Sequence, residues 1–208
     1  MIVLGLTGSI GMGKTTAARQ LACLGIPVHD ADAVVHRLLA KGGAAVAPIG
    51  RAFPEALVDR SIDRQRLGAR VFGDDIALSR LEAIIHPLVR RQERLFIERS
   101  RRRRERLVVL DVPLLFETGA WRRVDAVLVV SCPAFLQEQR VLARPGMTVE
   151  KLAAIRQRQI PDSRKRRLAD VVIPTGAGRR LALRKLHIAV RVLLEKKSAP
   201  RRRRPIDK

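Results

Sequence analysis

A phosphate-binding pattern near the amino terminus constrains this chain more than any other feature. Residues 8–15 read Gly-Ser-Ile-Gly-Met-Gly-Lys-Thr, a full match to G-x-x-x-x-G-K-[ST]. Closely spaced glycines let successive backbone N–H groups turn inward around phosphate oxygens, while Lys14 reaches the β/γ end and Thr15 offers its hydroxyl to magnesium. The pattern predicts a site for a nucleoside triphosphate, and it requires a strand before the loop and a helix after it.

The segments on either side of the loop fit that requirement. Residues 2–6 form an apolar run suited to a buried parallel strand, and residues 16–24 have the apolar spacing of a helix. The inner face of this helix is expected to contain Ala17, Ala18, Leu21 and Ala22. A glycine and a proline then end the helix, ahead of a second short strand around Val28. A dinucleotide-binding turn fits less well, because Thr16 stands where that pattern has its third glycine.

Three further β-rich apolar runs lie in the second half of the chain, at residues 107–111, 126–131 and 171–173. The first of these runs ends in a carboxylate, Asp111. Helical stretches alternate with the five runs. They therefore predict a doubly wound α/β sheet of parallel strands, with catalytic groups at the carboxyl ends of the strands.

A long insertion, roughly residues 33–106, separates the second predicted strand from the third and is mostly helical in pattern. Apolar residues recur at helical spacing at Leu81, Ile84, Ile85, Leu88 and Val89. Pro87 interrupts this stretch, which predicts either a kinked helix or a new helix with Pro87 in its first turn. Periodicity leaves two interpretations of the insertion open, a domain for a second substrate and a helical cover for the sheet.

Residues 137–170 form a second irregular segment that is dense in arginine. Its arginines include Arg140, Arg144, Arg156, Arg158, Arg164, Arg166 and Arg167. Thr148 is placed to cap a helix after a Pro-Gly turn. Mobile arginines that close over phosphates neutralise charge and exclude water, so the group is interpreted as a lid. Any one of these arginines taken alone fits a solvated helix face better.

Two carboxylates, Asp30 and Asp32, follow the second predicted strand at the same edge of the sheet as the phosphate loop. A carboxylate there can accept the proton of an attacking hydroxyl or help to hold magnesium. Helix capping explains the same spacing equally well. Once the chain leaves the strand the two side chains need not point the same way, so the two positions are not expected to be equivalent.

The charge of the chain predicts attraction to polyanions without identifying one, since 208 residues carry a formal net charge of +22. Five Phe, one Trp and no Tyr are too few for the stacking platform of a single-strand nucleic-acid binder. Residues 196–208 include four consecutive arginines and have no apolar face, so a disordered basic tail is expected there. Any nucleic-acid binding through this tail is expected to be weak and non-specific.

Compartment and redox state follow from what the sequence contains. No apolar run approaches the roughly 20 residues that cross a bilayer, and no signal-peptide pattern precedes the first strand. The sequence therefore predicts a cytoplasmic protein without a membrane partner. Cys23 and Cys132 share no metal-ligand or redox spacing, and both are expected to be reduced, small apolar residues.

Five short motifs stand in a definite order between residue 2 and about residue 178. They are the loop at residues 6–15, His29-Asp30-Ala31-Asp32, Ile85-His86-Pro87-Leu88, Val112-Pro113-Leu114-Leu115-Phe116-Glu117, and Gln159-Ile160-Pro161 leading to residues 169–173. Together they resemble the motifs of dephospho-coenzyme A kinases, the enzymes of the last step in coenzyme A synthesis. Many kinases share the phosphate loop, whereas the other motifs in this order are specific to that family.

The resemblance implies a role for each matching residue. Asp32 would be the base for the ribose 3′-hydroxyl of dephospho-coenzyme A, with Lys14 and Arg140 completing the catalytic set. ATP would be bound by Gly8, Gly11, Met12, Gly13, Lys14, Thr15, Thr16 and Arg144. His86 would join Asp32 in the acceptor site, and Thr15 would hold Mg²⁺. Where members of the family often have Asp-Asn after the last strand, this chain has Pro174-Thr175.

The resemblance also implies an architecture, a phosphate-loop NTPase core with a five-stranded parallel sheet, a helical acceptor-binding insertion and an arginine-rich lid. The implied boundaries are residues 1–32, 107–136 and 171–195 for the core, 33–106 for the insertion, 137–170 for the lid and 196–208 for the tail. The implied reaction transfers the γ-phosphoryl group of ATP to the 3′-hydroxyl of dephospho-coenzyme A, giving coenzyme A. Two alternatives remain: a kinase of another small metabolite or nucleotide, and a nucleic-acid-binding ATPase.

Overall fold

A computed structural model describes residues 1–195, and the expected basic tail at 196–208 lies outside the described residues. In chain order the strands are β1 (Ile2–Thr7), β2 (Val28–Asp30), β3 (Leu57–Val58), β4 (Ser61–Ile62), β5 (Leu107–Asp111), β6 (Ala126–Ser131) and β7 (Val171–Pro174). The helices are α1 (Lys14–Cys23), α2 (Ala31–Leu39), α3 (Val46–Ala52), α4 (Arg64–Val71), α5 (Asp75–Arg102), α6 (Ala134–Leu142), α7 (Val149–Arg158), α8 (Asp162–Leu168) and α9 (Arg179–Glu195). The described residues divide into two compact units, Asp30–Arg99 and a larger unit made of Met1–His29 and residues 100–195.

The larger unit is built on a five-stranded parallel sheet with the strand order β2-β5-β1-β6-β7. β1 lies at its centre, and Leu4 stands opposite Val109 of β5 on one side and Ala126 of β6 on the other. Every residue of β5 and β6 is buried, as expected for central strands covered on both faces. The predicted sheet is confirmed, and the strands at 107–111 and 126–131 match to the residue.

Helices α1 and α9 pack against one face of this sheet. Ala17, Ala18 and Leu21 of α1 share a buried cluster with Leu186 of α9 and with the strand residues of that face. Ala22, which the sequence places on the inner face, is exposed. At 100° per residue it lies about 40° outside the stripe that the three buried residues of α1 span, so this part of the prediction is wrong.

The unit Asp30–Arg99 has a hydrophobic core of its own. Its buried residues include Val34 of α2, Ile49 of α3 and Leu67 of α4. The apolar residues predicted at helical spacing, Leu81, Ile84, Ile85, Leu88 and Val89, all lie on α5 and pack against this core. The long insertion therefore buries apolar surface within itself.

Two local features of this unit bear on the sequence predictions. One decides between the two alternatives at Pro87, and the other was not predicted. Helix α5 continues through Pro87, so no new helix begins there. The short antiparallel hairpin of β3 and β4 interrupts a segment that the sequence predicts to be mostly helical. Its two-residue turn, Asp59 and Arg60, has φ of 46° and 59°. Such turns usually carry Asn-Gly or Asp-Gly, and Arg60 in place of glycine removes the signal.

Two expectations about the environment of the chain are addressed by the described residues. No helix among residues 1–195 combines the length and apolar character that a membrane span requires. Both cysteines are free thiols; Cys132 is buried, whereas Cys23 is exposed on α1. The expectation of a small, packed apolar residue thus holds for Cys132 only.

Candidate active site

The loop between β1 and α1 has a shape that depends on its glycines. Gly11 and Gly13 have φ of 77° and 90°, in the left-handed region that residues with a Cβ rarely adopt. Gly8 is required for a different reason, since a Cβ on it would lie 2.5 Å from Val130 Cγ2 and 2.8 Å from the Val130 carbonyl oxygen. These glycines let the loop pass close to β6 and turn directly into α1.

The amino terminus of α1 supplies donors for an anion. The first intrahelical bond is donated by Ala17 N–H to the Gly13 carbonyl oxygen at 3.1 Å. The N–H groups of Lys14, Thr15 and Thr16 precede it, and such groups have no acceptor within their own helix. Together with the positive end of the helix dipole they favour a phosphate. Thr15 and Thr16 are exposed, so the Thr15 hydroxyl is open to a ligand.

Lys14 forms an ion pair across the sheet edge. Its Nζ lies 2.8 Å from Oδ1 of Asp111, and the two side chains are 16% and 4% exposed. Because β1 and β5 are neighbours, the residue that ends β5 lies beside the loop that follows β1. Asp111 is missing from the predicted site residues. The sequence shows a carboxylate closing this strand, but it does not show which strand adjoins β1.

The oxygen atoms near Lys14 suit magnesium. Asp111 offers a carboxylate and Thr15 a hydroxyl, and Mg²⁺ prefers oxygen ligands, few of them from protein and the others from water and phosphate. The described residues contain no group of three or more His, Cys, Asp or Glu able to hold a metal by themselves. The donor set therefore fits a magnesium ion bound together with a nucleotide.

Met12 anchors the loop to the core. Its side chain is 3% exposed, and its Sδ accepts from Cys132 N–H at 3.1 Å and from Cys132 Sγ at 3.4 Å. Its own N–H donates to the Ser9 carbonyl oxygen at 3.1 Å. Burial raises the pKa of the Cys132 thiol, which keeps this contact neutral. In this structure Met12, predicted to bind nucleotide, holds the loop in place.

Thr175 joins the arginine segment to the loop. Its Oγ1 donates to the Met12 carbonyl oxygen at 2.7 Å and lies 3.2 Å from that of Ser131. Arg140 of α6 donates through Nη2 to the Thr175 carbonyl oxygen at 2.9 Å and through Nη1 to Thr175 Oγ1 at 3.4 Å. Thr175 therefore holds Arg140 beside the loop. No sequence signal pointed to this contact.

The rest of the arginine segment is helical. Thr148 caps α7 as predicted, accepting from Lys151 N–H at 3.3 Å. Arg144 is exposed in the turn after α6, where its N–H donates to the Val141 carbonyl oxygen at 3.0 Å. Its guanidinium is open to a ligand.

A buried ion pair fixes the end of this segment. Lys165 of α8 is fully buried, and its Nζ lies 2.9 Å from Oε1 of Glu117. The same oxygen accepts from Ile160 N–H at 2.9 Å. Ser131, the last residue of β6, donates to Asp162 Oδ2 at 2.7 Å. Through these contacts the turn after β5 and the end of β6 hold α8.

The structure gives different positions to the two carboxylates at the end of β2. Asp30 is the N-cap of α2, and its Oδ1 accepts from Ala33 N–H at 2.9 Å. Asp32 lies in the first turn of α2 and is exposed. Capping therefore accounts for Asp30, whereas the Asp32 side chain lies on the exposed surface of α2. His86 is exposed within α5, so it is neither a cap nor a core residue.

Comparison with known proteins identifies relatives along most of the chain. The family model described as dephospho-CoA kinase matches residues 2–179. The dephospho-CoA kinase of Paramagnetospirillum magneticum is 63% identical over 166 residues, which cover 80% of this chain and 78% of that protein. That of Mesorhizobium japonicum is 60% identical over 178 residues, covering 86% of this chain and 89% of that protein.

Two solved structures share the fold of this chain. A crystal structure of a protein from Thermus thermophilus has a TM-score of 0.79 and 37% identity, covering 95% of this chain and 98% of that one. The dephospho-CoA kinase from Campylobacter jejuni has a TM-score of 0.71 at 24% identity, with 93% and 97% coverage, and it supports the fold.

Proposed function

The chain belongs to the dephospho-CoA kinase family, and from this premise we propose how its own residues move the γ-phosphoryl group of ATP to the ribose 3′-hydroxyl of dephospho-CoA. It is an ATP-dependent kinase of coenzyme A biosynthesis. The observation that carries the proposal is the phosphate loop, with its left-handed glycines and with Lys14 Nζ 2.8 Å from Asp111.

The loop and α1 bind the triphosphate in this proposal. Backbone N–H groups at the start of α1 receive phosphate oxygens, and Lys14 reaches the β/γ end. Thr15 and Asp111 are the residues that would hold magnesium. When bound with ATP, Mg²⁺ neutralises charge that develops on the β and γ oxygens. Gly8, Gly11 and Gly13 contribute by allowing the backbone to lie close to the phosphates.

Asp32 acts as the general base. Its exposed carboxylate accepts the proton of the ribose 3′-hydroxyl as the hydroxyl oxygen attacks the γ-phosphorus. The bond between that phosphorus and the β–γ bridging oxygen breaks, and ADP leaves with the bonding electron pair. Asp30 is already used as a helix cap, which supports the assignment of the base to Asp32.

Arg140 and Arg144 serve the transferring phosphoryl group and the nucleotide. Arg140 is held by Thr175 beside the loop, where its charge opposes the negative charge that grows on the γ-phosphoryl oxygens. Arg144 is exposed and binds nucleotide from the turn after α6. His86, exposed on α5, contributes to the acceptor site together with Asp32.

The experiment offers the purified protein a panel of acceptors with Mg-ATP: dephospho-CoA, shikimate, nucleosides and short oligonucleotides. Dephospho-CoA alone is expected to give ADP together with a product heavier by one phosphoryl group, and NMR is expected to place that group on the 3′-oxygen. A Lys14→Ala variant controls for contaminating kinases. ADP release that depends on oligonucleotide rather than on dephospho-CoA would contradict the proposed function.

Besides the site residues and the domain boundaries, three expectations from the sequence stay predictions. They are the cytoplasmic location, the dependence on magnesium, and nucleic-acid binding that is at most weak and non-specific. Replacing Mg²⁺ with EDTA in the same assay tests the second. Repeating oligonucleotide binding at low and at physiological salt tests the third, because phosphate-only contacts weaken steeply as salt rises.

A further inference from the structure

The peptide groups of one loop residue are held from outside the loop by two glutamine side chains. Gln137 Nε2 of α6 donates to the Ile10 carbonyl oxygen at 2.8 Å. Gln159, which follows α7, accepts from Ile10 N–H through Oε1 at 3.2 Å. Gln137 is 5% exposed, so the loop tip is held by a buried amide.

The chemistry of Ile10 fixes the orientation of both amides. The Ile10 carbonyl oxygen can only accept, so the end of the Gln137 amide that faces it is the NH₂ group. The Ile10 N–H can only donate, so the end of the Gln159 amide that faces it is the oxygen. Arg156 of α7 independently fixes Gln137, since its Nη2 donates to Gln137 Oε1 at 3.0 Å. Neither amide can flip without losing a bond.

The loop tip also fits tightly against α6. A Cβ on Gly11 would lie 2.6 Å from Val141 Cγ2 and 3.0 Å from the Gln137 carbonyl oxygen. Gln137 and Arg140 are three residues apart on α6, so the helix that holds the loop tip also presents the arginine assigned to the γ-phosphoryl group.

We propose that Gln137 and Gln159 are positioning residues that hold the Ile10 peptide and thereby set the phosphate loop in its nucleotide-binding shape, linking that shape to α6 and α7. They act on the loop through the Ile10 peptide. This inference rests on the proposed use of the loop for ATP. It adds that the loop is held open for phosphate by the arginine segment and not by its glycines alone.

The test compares Gln137→Met and Gln159→Met with matched controls, Gln139→Met and Gln157→Met, in which exposed glutamines on α6 and α7 are changed two positions away. Isothermal titration gives Kd for Mg-ATP, and steady-state kinetics give KM for dephospho-CoA. Gln137→Met and Gln159→Met each remove one hydrogen bond to the Ile10 peptide, and each is therefore expected to weaken Mg-ATP binding about fivefold. Their KM for dephospho-CoA is expected to stay within about twofold of wild type. In the two control variants both Kd for Mg-ATP and KM are expected to stay within about twofold of wild type.

The double variant identifies a shared target. Since both glutamines hold one peptide, their combined effect on Kd is expected to be smaller than the product of the single effects. The proposal would be overturned if folded Gln137→Met and Gln159→Met had the Kd for Mg-ATP of wild type and differed from it only in a lower thermal midpoint. Should the methionine variants not fold, Gln137→Asn and Gln159→Asn retract each amide by one methylene and are measured in the same way. Wild type that binds Mg-ATP but does not phosphorylate dephospho-CoA would refute the proposed function and leave this inference standing.

Discussion

Lys14 Nζ lies 2.8 Å from Asp111 Oδ1, so the cation of the phosphate loop is held by the strand next to the loop's own strand. The pair orients the ammonium along the carboxyl edge of the sheet before any phosphate is bound. A lysine held in this way loses little side-chain freedom when it takes a phosphate as a further partner.

Lys14→Ala is expected to weaken Mg-ATP binding and to lower kcat by about 100-fold or more, because one charge serves both the bound and the transition state. Titration calorimetry and steady-state kinetics measure the two effects separately. Lys185→Ala, which removes an exposed lysine of α9, is the control and should leave both values unchanged. Unchanged Mg-ATP affinity in Lys14→Ala would remove the loop from the mechanism.

Asp32→Asn is expected to lower kcat by about 100-fold to 10,000-fold while Kd for Mg-ATP stays near wild type, since the amide keeps the shape but takes no proton. Asp30→Asn keeps a good N-cap and should change little. Asp30→Ala should cost about 1 kcal/mol of stability through the lost cap. Similar kcat values for Asp30→Asn and Asp32→Asn would show that the base is assigned to the wrong residue.

Arg140→Ala is expected to lower kcat about 100-fold, more than it weakens ATP binding, because it opposes charge that grows in the transition state. Thr175→Val removes the hydroxyl that connects Arg140 with Met12 and should lower kcat about 10-fold. Thr175→Ser retains a hydroxyl and should have a kcat near wild type. The double variant Arg140→Ala with Thr175→Val should be no slower than Arg140→Ala alone. Independent, multiplying effects would mean that Thr175 acts without Arg140.

Glu117→Leu is expected to destabilise the protein by about 3–5 kcal/mol, because it leaves the buried Lys165 ammonium without its carboxylate. Adding Lys165→Met to Glu117→Leu should recover part of this loss, since no charge then remains buried. Urea denaturation monitored by circular dichroism measures both variants. A double variant less stable than Glu117→Leu alone would show that the pair matters through something other than its charge.

The two cysteines are expected to be alkylated at different rates. Cys23 is exposed, whereas burial raises the pKa of the Cys132 thiol above its ordinary value, so less of Cys132 is thiolate at neutral pH. Iodoacetamide at pH 7 should label Cys23 first, and the labelling of Cys132 should accelerate as pH rises toward its raised pKa. Peptide mass spectrometry over time measures this, with Cys23→Ser as control. Equal rates at pH 7 would contradict the assignment.

The sequence predicts those parts of the fold and the site that depend on residues close together in the chain. Gly8 to Thr15 specify the loop because a fixed local geometry needs that order of glycines, lysine and threonine. Strand β5 is evident because four consecutive apolar residues, 107–110, fit a strand covered on both faces. The Thr148 cap follows for the same reason, since it depends on neighbours within three residues.

Contacts between distant residues do not follow from such patterns. Asp111 lies 97 positions from Lys14, and Thr175 lies 163 positions from Met12. Their pairing depends on strand order and on where a helix turns, neither of which a local pattern contains. The turn at Asp59 and Arg60 is local, but the sequence still does not predict it, because these residues are not those that such a turn prefers.

The central position of β1 determines when the nucleotide site can form. Both strands that flank β1 begin after residue 106, so during synthesis the first strand leaves the ribosome long before either neighbour exists. The stretch made in between, Asp30–Arg99, has a hydrophobic core of its own, so all of its core residues are available before β5 is made. Pairing of β1 with β5 or β6 closes a loop of more than a hundred residues, and we expect this long-range step to be slower than the contacts within Asp30–Arg99. The loop at residues 8–13 is synthesised among the first parts of the chain, yet its neighbour on β6, Val130, is made more than a hundred residues later.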